Sequence, residues 1–251
     1  MKNTPGLSVI IITKNEAFNI RACLESVSWA EEIIVVDSGS TDDTVAVCRE
    51  FTSQIYIHDW PGFGPQKNRA LNYATKEWIL SLDADERVTP ELRIEIQSAM
   101  REASYDAYEI PRLSSFCGRY IHHSGWRPDY VTRLFKRPAG RFSDDLVHER
   151  VVVSVSTGKL KQSILHESFR DAEELLDKIN RYSTASAIML HKKNRTASLK
   201  KAVAHALWAF LRSYLLRVGF LDGREGFMLA VSTAEGTYYR YVKLMLLANK
   251  K

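Results

Sequence analysis

Cysteine is scarce in this chain, and its three copies, Cys23, Cys48 and Cys117, neither pair completely nor show a CxxC or Cys/His spacing. A disulfide framework and a structural zinc site are therefore not expected, and a reducing compartment suits the sequence. No run of eighteen uninterrupted apolar residues is present, so no membrane span is expected. Met1 to Pro5 lack the basic and apolar blocks of a secretory signal, and a cytoplasmic location is the expectation. No GxGxxG follows the first apolar run. A dinucleotide fold would need those glycines for close approach of a pyrophosphate, so an NAD enzyme is disfavoured.

What is present is ordinary globular material: 251 residues, 45% hydrophobic and 26% charged, enough for a sizeable core. The formal net charge of +5 is unevenly divided. Residues 1–150 hold 18 Lys/Arg against 22 Asp/Glu, a net of −4, and residues 151–251 hold 17 against 8, a net of +9. The basic surplus belongs to the C-terminal part and points to an anionic partner.

Along the first hundred residues, short β-branched runs alternate with helical patterns, which predicts βαβ units and a mostly parallel sheet. Strands are expected at Leu7–Ile12, Glu32–Val36, Ile55–His58 and Trp78–Leu82, and helices at Asn19–Val27, Thr44–Phe51 and Gln66–Ala74. Thr89-Pro90-Glu91 opens a further helix with a capping residue, a proline and an acid. From Tyr105 to Thr157 aromatics, arginines, glycines and prolines interleave, which reads as irregular structure around a substrate pocket. From about Phe169 the pattern is helical to the end. The expected organisation is one α/β domain over residues 1–168 with a basic helical extension over 169–251.

In an open parallel sheet, ligands bind in the crevice at the strand C-termini. Three polar loops fall there: Thr13-Lys14-Asn15-Glu16, Asp37-Ser38-Gly39-Ser40 and Asp83-Ala84-Asp85. If extension continues past the fourth strand, the carboxylates of Asp83 and Asp85 point to one side. That pair suits Mg²⁺ or Mn²⁺ shared with phosphate oxygens, whereas the plain reading is a solvated turn. Asp37 is either an N-cap or a carboxylate that accepts hydrogen bonds from a nucleobase or ribose. Lys14, Lys67 and Arg69 would add positive charge near a diphosphate, against the competing reading of solvated surface.

Ser8-Val9-Ile10-Ile11-Ile12-Thr13-Lys14-Asn15-Glu16, Ile34-Val35-Val36-Asp37-Ser38-Gly39-Ser40-Thr41-Asp42 and Leu82-Asp83-Ala84-Asp85-Glu86 together resemble the successive motifs of family 2 inverting glycosyltransferases with the GT-A fold. Further on, Gly125-Trp126-Arg127-Pro128-Asp129, Arg133-Leu134-Phe135 and Asp144-Asp145-Leu146-Val147-His148-Glu149 resemble the subgroup of bacterial lipopolysaccharide inner-core β-1,4-glucosyltransferases. The resemblance implies a Rossmann-like, mostly parallel sheet flanked by helices. It also implies a UDP-sugar donor, with Thr13, Asn15, Glu16 and Asp37 on the uridine, Asp83 on the ribose or donor sugar, and Asp85 on the metal. Inversion needs one base, which the family supplies from a carboxylate after the D-x-D: here Asp144, Asp145 or Glu149, with Glu149 preferred and Asp145 second. Trp126 would stack on an acceptor sugar, and Arg127 and Arg133 would suit a phosphorylated acceptor such as lipopolysaccharide core.

The segment Lys178–Lys251 carries 14 Lys/Arg against 3 Asp/Glu. On one helix over Lys200–Leu221, Val203, Leu207, Phe210, Tyr214 and Val218 would cluster opposite Lys201, His205 and Arg212. Such a helix either lies on an anionic membrane surface or packs on the catalytic domain. The expected partners are a UDP-sugar, a lipopolysaccharide core acceptor and the inner face of the bacterial inner membrane, with nucleic acid disfavoured. A non-catalytic nucleotide- or lipid-binding module and a nucleotidyltransferase are the alternatives from other classes. The first has no use for the Asp83/Asp85 pair, and the second would release pyrophosphate rather than UDP.

Overall fold

The computed structural model describes residues 5–143 and 150–248. They divide into two compact units: residues up to 112 with 129–166, and residues 113–128 with those from 167 onward. Residues 113–128 group with the helical residues rather than with the α/β part.

In the first unit, β1 (Leu7–Thr13), α1 (Ile20–Ser26), β2 (Glu32–Asp37), α2 (Thr44–Cys48), β3 (Ile55–Ile57), α3 (Phe63–Tyr73) and β4 (Trp78–Asp83) follow the alternation read from sequence. Next along the chain come β5 (Glu86–Val88), α4 (Pro90–Glu102), β6 (Ala107–Phe116), β7 (Arg119–Tyr120), β8 (Tyr130–Lys136), β9 (Gly140–Phe142), β10 (Val151–Val153), β11 (Thr157–Lys159) and β12 (Ile164–Phe169), of which β7 and the last residues of β6 and β12 fall in the second unit. The sheet runs β3-β2-β1-β4-β8-β6-β12-β5. Its first four strands are parallel, whereas β8 runs antiparallel to β4 and β6, and β12 antiparallel to β5. The expected irregular stretch from Tyr105 thus contains a ten-residue strand, β6. Its Pro111 and mixed burial concealed the period-2 signal.

The sheet is buried on both faces, which explains the apolar run Val9–Ile12 within β1. Leu7, Val9 and Ile11 join Ile20, Leu24, Leu80 and Leu92 in one core, and Ile10 and Ile12 join Ile34, Val36, Ile79 and Phe135 in the other. Thr89 caps α4 as expected, its Oγ1 accepting from the Leu92 amide at 3.1 Å.

The second unit holds α5 (Ala172–Lys192), α6 (Leu199–Leu211) and α7 (Gly223–Ala248). The single helix expected over Lys200–Leu221 does not form. After Leu211 the chain makes a π-turn over Arg212–Leu216, Val218 turns left-handed at φ 48°, and a 3₁₀ turn follows over Gly219–Asp222. Close approach enforces the break. A Cβ on Gly219 would stand 2.6 Å from Ser124 Oγ and 2.8 Å from the Ser213 carbonyl, and one on Gly226 would stand 1.9 Å from the Gly219 carbonyl. Phe116, Ile121, Leu175 and Leu229 form this unit's own core, with Trp126, Phe169 and Ile179 packed against it.

One buried carboxylate ties the edge of the parallel sheet together. Glu32 accepts from Ser8 Oγ, from the Thr75 amide and Oγ1, each at 2.8 Å, and from Gln54. Burial opposes its ionisation, yet the donors from Ser8 and Thr75 hold its pKa below the ordinary value. With a depressed folded-state pKa, this stabilisation is complete above the ordinary carboxylate range and is lost as pH falls through the lowered value. Glu32→Gln should lower the unfolding free energy by about 1–3 kcal/mol at neutral pH in urea denaturation. The gap between the two proteins should narrow as pH falls below about 4, and a gap constant into acid would contradict this role.

Candidate active site

The loops after β1 and β2 are stitched into one surface by their own polar side chains. Asp37, fully buried, accepts from the Gly39 and Ser40 amides at 2.9 and 2.8 Å and from the Ser40 and Thr13 hydroxyls at 2.5 and 2.9 Å. Four donors occupy the lone pairs of a carboxylate. Asp37 therefore shapes the loop and has no acceptor left for a nucleobase or ribose, the direct role expected from sequence. Asn15, left-handed at φ 55°, donates its amide to Ser40 Oγ and accepts from the Thr41 amide, both at 2.8 Å. The Glu16 amide donates to Thr44 Oγ1, and its carboxylate accepts from Asn19 Nδ2. Thr13 is buried, Glu16 and Ser40 are half-buried, and Lys14, Asn15 and Phe18 on one loop and Thr41 to Asp43 on the facing one are exposed.

At the end of β4 the chain turns at Ala84–Asp85 instead of continuing extended, so the two acids part. Asp83 meets Lys67 Nζ at 2.8 Å and Arg133 Nη2 at 2.5 Å. Both cations are almost fully buried, Lys67 projecting from α3 and Arg133 from β8. Partial desolvation opposes the Asp83 charge, but Arg133 and Lys67 overcome it and hold the carboxyl well below its usual range. Glu86, fully buried at the start of β5, completes the cluster: it accepts from Arg133 at 2.6 Å and from the Asp83 amide at 3.0 Å, and Arg112 stands 3.7 Å away. Two expectations change here. Lys67 is neither solvated surface nor aimed at a diphosphate, and Arg133 ends on Asp83 and Glu86 rather than in an acceptor loop. The physical reason is shared: a buried cation takes the nearest buried carboxylate.

Asp85 has a different neighbour. His166, on β12, places Nε2 3.4 Å from Asp85 Oδ2, both side chains partly open to solvent. Burial works against the imidazolium, but the hydrogen bond and charge of Asp85 raise the His166 pKa above its ordinary value. Among the described residues no three His, Cys, Asp or Glu side chains converge as a complete metal cage. A carboxylate and an imidazole side by side, with Asp83 already neutralised, nevertheless fit a divalent ion that takes its remaining ligands from phosphate oxygens and water. Sequence reasoning overlooked His166, Glu86 and Arg112. His166 lies in an unremarked six-residue strand, and only the pairing of His166 with Glu86 across β12 and β5 brings it to the Asp85 turn.

Glu149, Asp145 and Asp144 lie outside the described residues. The strand leading to them is held by Asn68 of α3, whose amide group donates to the Phe142 carbonyl at 2.9 Å and accepts from the Phe142 amide at 3.0 Å. Trp126 and Arg127 belong to the second unit. Trp126 packs among Phe116 and Phe169, and Arg127 lies 3.5 Å from His122 Nδ1. Arg133 belongs to the first unit, so the three acceptor candidates do not form one cluster within either unit.

Along 257 residues the chain is 31% identical to an uncharacterized glycosyltransferase of Rickettsia prowazekii (strain Madrid E), covering 97% of this chain and 88% of that one. It is 29% identical to the lipopolysaccharide core biosynthesis glycosyltransferase LpsC of Rhizobium meliloti, covering 94% and 93%. The crystal structure of S. aureus TarS 1–349 in complex with UDP-GlcNAc superposes with a TM-score of 0.49 at 16% identity, covering 97% and 92%. The sequence profile of glycosyl transferase family 2 matches residues 8–158, from the first strand through all three polar loops. With a match over more than half its length, the chain belongs to glycosyl transferase family 2.

Proposed function

We propose that this glycosyltransferase moves a hexose, glucose from UDP-glucose in the first instance, with inversion onto an inner-core heptose of lipopolysaccharide. The observation that carries the reading is the division of labour at the end of β4, where Asp83 is locked by Lys67 and Arg133 while Asp85 stands beside His166. The name of the Rhizobium relative supports a lipopolysaccharide core acceptor. The alternative within the family is another lipid-linked or capsular glycan.

In this reading the loops carrying Thr13, Asn15 and Glu16 bind the uridine, and the exposed part of the Asp83 carboxylate accepts from a ribose or donor-sugar hydroxyl. Lys67 and Arg133 fix the orientation and ionisation of Asp83. Asp85 and His166 would hold Mg²⁺ or Mn²⁺, which when bound stabilises the negative charge developing on the β-phosphate of the departing UDP. Glu149, with Asp145 second, takes the proton of the acceptor hydroxyl as its oxygen bonds to the anomeric carbon and the bond to the diphosphate breaks.

The acceptor is lipid-linked in this reading, and the second unit offers a surface for the inner face of the inner membrane. No helix among the described residues is long and apolar enough to cross a membrane. Around the break between α6 and α7, however, Leu211, Leu215, Leu216, Phe220 and Leu221 are all exposed, with exposed Arg212, Arg217 and Arg224 interleaved. Apolar burial combined with basic charge is what an anionic interface rewards.

Two measurements test the reading. With UDP-glucose, Mn²⁺ and purified core acceptor, wild type should release UDP and lengthen the glycan. Asp85→Ala and Glu149→Gln should each lower turnover at least about a hundredfold, with UDP-sugar binding retained in Glu149→Gln; pyrophosphate release, or full turnover in Asp85→Ala, would contradict it. In flotation with phosphatidylglycerol vesicles the protein should rise with the lipid at low salt, and Leu216→Glu/Leu221→Glu should remain behind. Equal capture of that folded variant would defeat the proposed membrane surface.

A further inference from the structure

A cavity of about 420 Å³ lies within the second unit, between the loop at Ser124–Gly125, the end of α6 with its π-turn, and α7. Its charged lining is of one sign. Arg212, Arg217, Arg240 and His205 face it together with Trp208 and the hydroxyl residues Ser124, Ser213, Thr233 and Thr237, and among the described residues no carboxylate lines it. Among the described residues, no acid forms an ion pair with any of the three arginines. Uncompensated guanidinium groups gathered around a concave site cost self-repulsion unless an anion is supplied.

Two buried atoms at this cavity lack partners. Ser124 Oγ and Arg240 Nε are shielded from solvent and make no hydrogen bond among the described residues. Ser124 is only 8% exposed. Both keep hydrogen-bonding capacity that no described residue uses.

The walls are built to hold their donors in place. Asp222, nearly fully buried, accepts from the His122 and His123 amides at 3.1 and 2.9 Å and lies 3.0 Å from His123 Nδ1, which anchors the loop that carries Ser124. The Ser124 amide donates to the Arg217 carbonyl at 2.9 Å, and the Arg217 amide donates to the Arg212 carbonyl at 2.8 Å across the π-turn. Tyr241 supports the opposite side: His205 stacks on its ring at 4.4 Å and the Arg240 guanidinium lies 4.9 Å from its centroid. Thr233, Thr237 and Arg240 also border a second cavity, of about 260 Å³, lined by Trp126, Phe169, Ile179 and Tyr182. A cationic chamber thus adjoins an aromatic one.

We infer that the cavity bounded by Arg212, Arg217, Arg240, His205 and Ser124 binds a phosphoryl group carried on a saccharide, with the sugar against Trp208. Arginine forks match phosphate oxygens in bidentate pairs, hydroxyls and the open Arg240 Nε–H supply further donors, and an indole face suits a sugar ring. The size of the cavity fits a phosphorylated monosaccharide unit. The inference rests on the reading of the enzyme as one that takes a phosphorylated acceptor, and it names the subsite that would recognise the phosphate.

The test titrates the full chain with inorganic phosphate, with glucose 6-phosphate, and with phosphatidylglycerol vesicles, following heat and tryptophan fluorescence at low salt. Wild type should bind glucose 6-phosphate more tightly than inorganic phosphate. Arg212→Gln/Arg217→Gln, both at exposed positions that leave packing intact, should weaken both soluble ligands at least about tenfold, as should Arg240→Gln. Far-UV circular dichroism confirms the fold of each variant. Unchanged affinity for the soluble phosphates in the folded variants, or no binding of them by wild type at tens of millimolar, would overturn the site. Loss of vesicle binding alone would do so as well, since it would assign the arginines to lipid headgroups. UDP-glucose binding by wild type, measured separately, reports on the glycosyltransferase reading; if it fails, the phosphate titration still decides the cavity.

Discussion

The ion-pair cluster at Asp83 is the constraint on which the rest of the site depends. A carboxylate at the mouth of the parallel sheet would normally be free to bind whatever cation arrives. Here Lys67 and Arg133, both buried, reach it from two different elements, and Glu86 balances the second cation from below. Removing any one partner would leave a buried charge uncompensated, so the cluster pins α3, β4, β5 and β8 in one arrangement. In that arrangement the chain turns at Ala84–Asp85, and the turn separates Asp85 from Asp83. One acid becomes part of the scaffold and a hydrogen-bond acceptor, and the other remains beside His166 with the chemistry of a metal ligand.

The loops after β1 and β2 follow the same logic with neutral partners. Asp37 uses all of its accepting capacity on Thr13, Gly39 and Ser40, which joins the loops after β1 and β2 before any ligand arrives. Buried carboxylates here organise backbone and neighbouring cations, while the exposed residues sit on loop crests. Such preorganisation reduces the ordering needed when the donor binds.

Much of the parallel half was legible in sequence because its signals are local. The β-branched runs of β1, β2 and β4, the Thr89 cap and the three polar loops at strand ends all lie within a few residues of what they specify. The antiparallel half was not. Strand β6 carries Pro111 and alternates poorly, and β12 is a short strand whose partner in the turn of β5 lies far away in sequence. For that reason Asp83 and Asp85 could be singled out while His166 and Glu86 could not be joined to them. Lys67 and Arg133 were noticed as charges but assigned to ligands, because a sequence does not reveal which cation is buried. The helical extension was legible as helical and basic. Its break at Val218–Gly219 depends on contact with the Ser124 loop, which no periodicity in residues 200–221 records.

Glycosyl transferase family 2 membership says what class of reaction the chain performs; the separation of Asp83 from Asp85 says how its residues would share that work. The most direct test is a crystal structure of the full chain with UDP and Mn²⁺, with anomalous scattering used to locate the metal. The account predicts the ion on Asp85 Oδ and His166 Nε2, with Asp83 still bound to Lys67 and Arg133. A metal coordinated by Asp83, with the Lys67 and Arg133 pairs broken or His166 turned away, would contradict it.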